Sequence, residues 1–513
     1  MPGKRGLRRP NAMAGVPDLW RPALSALTIL ENSSSAVTGT SPAATGISPA
    51  GTETSPARTG TATLSGASPV QGGGTTLVPG SPALGDRSAP STRGGAPTPA
   101  VLGADLEVPV RGGRLVPYAN FDYAASAPCL APVSAAVTAA LPAYSSVHRG
   151  AGYASQLTTA RYEQARHTVR AFAGARADDA VVFTRNTTDA TNLLARCLPD
   201  GATVVVFDSE HHASLLPWPS AVRLAPPASP GEAVRAADEA LAAIDGPALL
   251  VVTAASNVTG ELWPIAALAH IAHGHGARIL VDAAQLVPHR RLNLTALDLD
   301  YVAFSGHKLY APFGAGALIG RADWLAEAEP YLRGGSASKA VTGGAGLGLP
   351  LETEWSADPQ LRHEAGTPNV LGAVALAAAC DALSATGWTP LVEEEERLLG
   401  LLRDGLAGID GVHELSLWGP HHPRVGIVSF VVDGWTAREV AEALSSEYGI
   451  GVRDGKFCAH PLVRHLISGI GRDGGGDCAD GTTGAVRASI GIGTTEEHVR
   501  RLVAALADLA SRR

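Results

Sequence analysis

Between Ala180 and Phe304, short β-branched runs alternate with longer segments of helical spacing, and this alternation constrains the fold more than any other feature. The runs Val181–Phe183, Thr203–Phe207, Ala248–Thr253, 278–281 and 301–304 are mainly apolar and rich in β-branched residues, so each reads as a strand of a sheet covered on both faces. Helical spacing fills intervals at Asp189–Cys197, Gly231–Ile244 and Pro264–His273. Strands of this kind separated by helices form a mostly parallel sheet covered on both sides. Beyond Asn369 the character changes. Helices at Val370–Ser384 and Leu391–Leu406 precede strands near Glu414–Trp418 and Val425–Val432 and a closing helix at Glu496–Ala510. The expected fold class is α/β, with a large unit over residues 116–368, including an N-terminal arm, and a smaller α+β unit over 369–513.

Residues 31–100 are dominated by Ala, Gly, Pro, Ser and Thr, a composition that cannot bury enough apolar surface to fold. Residues 1–115 are therefore expected to be a disordered, low-complexity extension. Met1–Arg9 is basic, but Leu19–Leu30 is broken by Arg21 and Pro22 and lacks the continuous apolar core of an export signal. The net charge of -8 is mild and no long basic run occurs, which excludes nucleic acid or an anionic membrane as the expected partner. No apolar stretch reaches the length of a membrane span. Cys129, Cys197, Cys380, Cys458 and Cys478 are scattered and odd in number, a pattern suited to free thiols in a reducing compartment. A soluble cytoplasmic protein is expected.

Two polar groups end buried strands. The run 278–281 closes on Asp282, and 301–304 leads into Ser305-Gly306-His307-Lys308. Carboxyl ends of parallel strands form the ligand crevice, so this acid and this amine face one bound molecule. A lysine leaving an apolar strand is desolvated, which lowers its pKa toward a nucleophilic state suited to a Schiff base with a carbonyl cofactor. If that cofactor is pyridoxal phosphate, Asp282 keeps its pyridinium nitrogen protonated, and Ser305 and His307 reach its phosphate. Lys308 taken alone also reads as a surface lysine.

Other motifs decorate the same strand ends. Asn186-Thr187-Thr188-Asp189 opens a helix, either as a plain N-cap or with its N–H groups and hydroxyls aimed at a phosphate. Glu210-His211-His212-Ala213 carries a histidine pair but no third and fourth ligand at metal spacing, so no metal is expected. Asn257-Val258-Thr259-Gly260 and Gly366-Thr367-Pro368-Asn369 are turn formers by composition. Cys458 stands in Gly451–Pro461, where Arg453 and Lys456 supply charge that favours a thiolate; the alternative is a small buried hydrophobe. Residues 468–481 read as a flexible acidic insertion containing Cys478.

Asp282-Ala-Ala-Gln285, the Ser-Gly-His-Lys run and the glycines Gly314 and Gly316 resemble the class V aminotransferase and cysteine desulfurase family of fold type I pyridoxal phosphate enzymes. The resemblance runs from about Phe121 to the C-terminus. The Cys458 stretch is similar to the loop of group II cysteine desulfurases and selenocysteine lyases, where an arginine stands five residues before the thiol and Ala-x-Pro follows. Arg453 and Cys458 keep that spacing, whereas Lys456 and Phe457 stand where the family commonly has two histidines. The resemblance implies pyridoxal phosphate on Lys308, its phosphate gripped by Thr187 and Thr188, and His211 stacked on its ring and serving in proton transfer. It further implies Asn257 and Gln285 at the ring oxygen or the substrate, and Arg487, with Arg453 nearby, on the substrate α-carboxylate. Thr367 is implied to contact the phosphate of a neighbouring subunit, hence a homodimer. The implied activity is removal of sulfur from L-cysteine, or selenium from selenocysteine, giving alanine through a Cys458 persulfide that passes to an acceptor protein. A class V aminotransferase or epimerase acting on another amino acid, and a non-catalytic cofactor-binding protein, remain as alternatives.

Overall fold

The computed structural model describes residues 98–471 and 484–512. Its large sheet has seven strands in the order Ala180–Thr184, Gly316–Gly320, Tyr301–Ser305, Arg278–Asp282, Ala248–Thr253, Thr203–Phe207 and Ala221–Leu224. Gly316–Gly320 runs against both its neighbours and the others share one direction, so the expected mostly parallel α/β sheet is present. Successive strand residues point to opposite faces. Val281, Val302 and Phe304 pack on one side with Leu268, Leu376 and Leu383, while Leu280, Tyr301 and Ala303 pack on the other with Leu193 and Leu194.

Parallelism decides where the site lies. The strands Ala180–Thr184, Thr203–Phe207, Ala248–Thr253, Arg278–Asp282 and Tyr301–Ser305 all end at the same edge of the sheet. The segments leaving those ends carry Thr187, His211, Asn257, Asp282 and Lys308.

A second, antiparallel sheet has the order Val412–Leu415, Ile427–Val432, Ala485–Ser489, Arg453–Gly455. Helices Trp388–Ala407, Ala437–Tyr448 and Glu496–Ser511 cover it, burying Leu398, Leu402, Leu444, Leu502 and Leu506 against Val428, Phe430 and Val486. Among the described residues no single helix is long and apolar enough to cross a membrane.

Several sequence expectations are corrected. Residues 101–115, expected within the disordered extension, are folded: Val101 is buried in the main core and Glu107–Pro109 pairs with Leu115–Pro117. Their order comes from backbone pairing, to which composition is blind; residues 1–97 lie outside the described residues. The expected division at residue 369 moves as well. Helix Val370–Thr386 buries Ala375, Leu376, Ala379 and Leu383 in the large-sheet core, so the second core begins within Trp388–Ala407. The strand expected to run to Trp418 stops at Leu415. Buried Glu261 accepts hydrogen bonds from Ser416 Oγ (2.7 Å) and from the N–H groups of Leu417 (2.9 Å) and Trp418 (2.8 Å), which draws that stretch off the sheet. Ser468 and Gly469 end the helix His460–Gly469 rather than opening a loop; the insertion from residue 472 to 483, with Cys478, lies outside the described residues.

The glycine pair of the sequence turns out to bracket a tight packing point. A Cβ on Gly316 would meet Phe304 O at 2.6 Å and Asn186 Cα at 2.9 Å, so only glycine lets the Lys308 strand and the Asn186 turn approach this closely. Gly316→Ala is expected to lower stability by about 1–3 kcal/mol in urea unfolding, the usual cost of overpacking. Gly346→Ala, with open space around it, is the control expected to change stability by less than about 0.5 kcal/mol. Equal effects would contradict the packing account.

Candidate active site

One cavity at the carboxyl edge of the large sheet is lined by Thr187, Thr188, His211, Asn257, Asp282, Gln285, Ser305, His307, Lys308, Arg453, Cys458 and Arg487. Every candidate site residue except Thr367 is thus brought together, by four parallel-strand ends, one helix start and two segments of the second sheet. Thr367 is exposed in a separate cavity with Tyr162, Phe183, Glu364 and Asn369.

Lys308 follows the fully buried strand Tyr301–Ser305. Burial pushes its ammonium pKa down to about 8; Asp282 pulls it back up and Arg487 pushes it further down. The free amine, the nucleophilic form, is therefore far more populated near neutrality than for an exposed lysine, at about a tenth of the molecules at pH 7. Asp282 is buried and fixed by two donors, Ser214 Oγ at 2.7 Å and Ala284 N–H at 3.0 Å. His211 caps a short helix, its Nδ1 accepting from Ala213 N–H at 3.0 Å. Burial, then Lys308, His212 and Arg487, push its pKa down to about 3, so the ring is neutral, with its proton on Nε2.

At the opposite end, Asn186 caps the ten-residue helix Thr187–Arg196 through its side chain and Asp189 N–H. Ser305 Oγ lies 2.8 Å from Thr187 N and 2.7 Å from Thr187 Oγ1, which ties that helix start to the Lys308 strand. Hydroxyls and N–H groups gathered at a helix start suit an anionic oxygen cluster. Gln285 Nε2 donates to Ala124 O at 2.8 Å, while its buried Oε1 has no partner.

The second sheet supplies the wall facing these groups. Arg487 sits within the fully buried strand Ala485–Ser489, and Arg453 is its cross-strand partner. Arg487 donates to Asn257 O at 2.8 Å and reaches Asp122 Oδ1 at 3.4 Å, leaving Nε without a partner. Burial pushes its pKa down to about 10, against the pull of Asp122. A desolvated guanidinium with spare donors is a bidentate site for a carboxylate. Cys458 is exposed, and both it (φ 54°) and Phe457 (φ 52°) occupy the left-handed region that non-glycine residues rarely adopt. His212 N–H holds the Cys458 carbonyl at 2.7 Å, and Asn257 Nδ2 holds that of Phe457 at 2.7 Å.

Sequence reasoning missed Asp122, Ser214 and Glu210. Asp122 follows an extended segment with no motif around it, and Ser214 serves only through Asp282. Glu210 is fully buried, with Oε1 accepting from Thr253 N–H at 3.0 Å and Oε2 unpartnered; burial, and then Asp282, raise its pKa well above the carboxylate range.

The chain matches the family model for Aminotransferase class-V over residues 119–502. The cysteine desulfurase of Dickeya dadantii is 36% identical over 403 residues, covering 76% of this chain and 91% of that protein. Two solved structures are similar: a cysteine desulfurase from Thermococcus onnurineus NA1, at 29% identity and a TM-score of 0.67, and the cysteine desulfurase CsdA from Escherichia coli, at 31% and 0.63. Each likeness covers 77% of this chain and 95% of the other.

A buried amine with a lowered pKa costs stability wherever the unfolded chain is protonated and the folded one resists it. Below pH 8 that cost is complete, and it vanishes as pH rises through the unfolded value of 10.5. In protein freed of carbonyl compounds, Lys308→Met is expected to be more stable than wild type at pH 7 by about 1–3 kcal/mol, with the gain shrinking as pH rises toward 10. Denaturant unfolding across that range measures it; a constant difference would show that the amine is not desolvated.

Proposed function

Because the chain belongs to the class-V aminotransferase family, we propose that it is a pyridoxal phosphate-dependent cysteine desulfurase, moving sulfur from L-cysteine to Cys458 and releasing alanine. The observation that carries this reading is the shared cavity: the Cys458 thiol and the Arg487 guanidinium line the same space as Lys308 and Asp282.

The residues present fit the cofactor. Lys308 is the amine that would hold its carbonyl carbon, Asp282 the carboxylate for its ring nitrogen, and neutral His211 the ring to stack on it. Thr187, Thr188, Ser305 and His307 would hold its phosphate, and the unpartnered Gln285 Oε1 would accept from its hydroxyl, beside Asn257. When bound, pyridoxal phosphate supplies an electron sink for the carbanion formed at the substrate α-carbon. Arg487, with Arg453 at the mouth, anchors the substrate carboxylate. Lys308, once released, takes the α-proton, for which an amine with pKa near 8 is well matched. Cys458 as thiolate then attacks the substrate sulfur: an S–S bond forms, the C–S bond breaks, and a proton is added at the β-carbon. The thiol sulfur is oxidised to the persulfide as that carbon is reduced, so no external oxidant is needed.

Further parts of the reading follow the resemblance. Thr367, exposed on its own cavity, would face the phosphate of a second subunit in a homodimer. The free thiols Cys129, Cys197, Cys380 and Cys458 suit the cytoplasm, where the persulfide would be handed to an acceptor protein.

The test is alanine release from L-cysteine by wild type and Cys458→Ser, with added pyridoxal phosphate and a mild thiol reductant. Wild type is expected to form alanine and the variant to fall by about 10²-fold or more while keeping its cofactor absorbance. No alanine from the wild type would overturn the desulfurase reading; equal rates would remove Cys458 from it.

A further inference from the structure

Arg487, Asn257 and Phe457 form a closed ring of contacts around the cysteine loop. The Arg487 guanidinium lies 5.0 Å from the centroid of the Phe457 ring, donates to Asn257 O at 2.8 Å, and Asn257 Nδ2 in turn donates to Phe457 O at 2.7 Å. Phe457 and Cys458 are held in consecutive left-handed conformations, which L side chains disfavour unless their surroundings impose them. The same guanidinium keeps Nε unpartnered and Asp122 only at 3.4 Å.

We infer that Phe457 is a positioning residue that couples substrate binding at Arg487 to release of the Cys458 loop. A cation–π contact depends on the exposed positive charge of the guanidinium. A carboxylate paired in the guanidinium plane neutralises that charge, and a turn toward it strains the bond to Asn257 O that completes the ring of contacts. Both effects loosen Phe457, and the strained turn then relaxes and frees the thiol to travel. Without a carboxylate the thiol stays parked, with its carbonyl on His212 N–H. Only an amino acid that has docked its carboxylate meets a mobile nucleophile.

The inference rests on Arg487 as the carboxylate site, and its test uses hydrogen exchange of the holoenzyme rather than turnover. L-Alanine is compared with L-alaninamide, which lacks the carboxylate, and exchange is read in peptides containing residues 453–459 and His212. In wild type, L-alanine is expected to speed exchange there, against the usual slowing by a ligand, and L-alaninamide to leave it unchanged. Phe457→Leu is expected to exchange about 2–30-fold faster without any ligand, the range a cation–π contact spans, and not to respond to L-alanine. Phe457→Tyr, which keeps an aromatic face, is expected to restore the wild-type response. Exchange in wild type that slows or stays constant with L-alanine, or a Phe457→Leu protein that still responds, would overturn the coupling. Alanine formation from L-cysteine in the same preparations separates the two claims: a protein that makes alanine without the exchange response keeps the desulfurase reading and loses the coupling. One that responds without making alanine keeps the coupling and loses the sulfur chemistry.

Discussion

Desolvation at the carboxyl edge of a parallel sheet governs what this chain does with its charges. The strands that end in Asp282 and Ser305 are neighbours, buried by helices on both faces, and they deliver a carboxylate and an amine to one cavity where little water competes for them. The amine is thereby pushed down to about 8 and the His211 imidazole to about 3. Neither shift needs an unusual residue. Each follows from removing water around an ordinary one and placing a cation nearby. Asp282 is kept in place by Ser214 and the Ala284 N–H, a second layer without which the acid has no fixed orientation.

The second sheet completes the site from across the cavity. Arg487 and Arg453 are cross-strand partners, so the antiparallel register sets both guanidinium groups on one face of the sheet, Arg487 buried in the cavity and Arg453 exposed at its mouth. Asn257 joins the halves, accepting from Arg487 and donating to Phe457. The loop carrying Asn257 is anchored in turn by buried Glu261, which gathers Ser416, Leu417 and Trp418, and by Arg424, which donates to Thr259 O at 3.4 Å. Arg487, the Asn257 loop and the Phe457-Cys458 turn are therefore tied to one another through backbone carbonyls.

The strands of the large sheet were legible because both faces are buried, which leaves unbroken apolar runs; Thr203–Phe207 and Ala248–Thr253 fall where the pattern places them. The exposed hairpin Ser338–Gly344 with Leu349–Trp355 was invisible for the opposite reason, since it buries almost nothing and leaves no periodicity. Gly316–Gly320 was not read as a strand, although Leu318 and Ile319 are buried in it, because glycines bound this short run at both ends and Gly316 reads with Gly314 as a turn-forming pair. In the site, Lys308, Asp282 and Cys458 were readable from residue type and motif. Asp122, Ser214 and Glu210 were not, since each acts through a neighbour that only the fold supplies.

The central claim is that Cys458 receives the sulfur inside the cavity built by Lys308 and Arg487. Peptide mass mapping of the holoenzyme after brief exposure to L-cysteine bears on it most directly. One added sulfur atom on the peptide containing Cys458, and on no other cysteine peptide, is the predicted result. Sulfur carried by Cys129, or alanine accumulating with no sulfur gained by Cys458, would contradict the account.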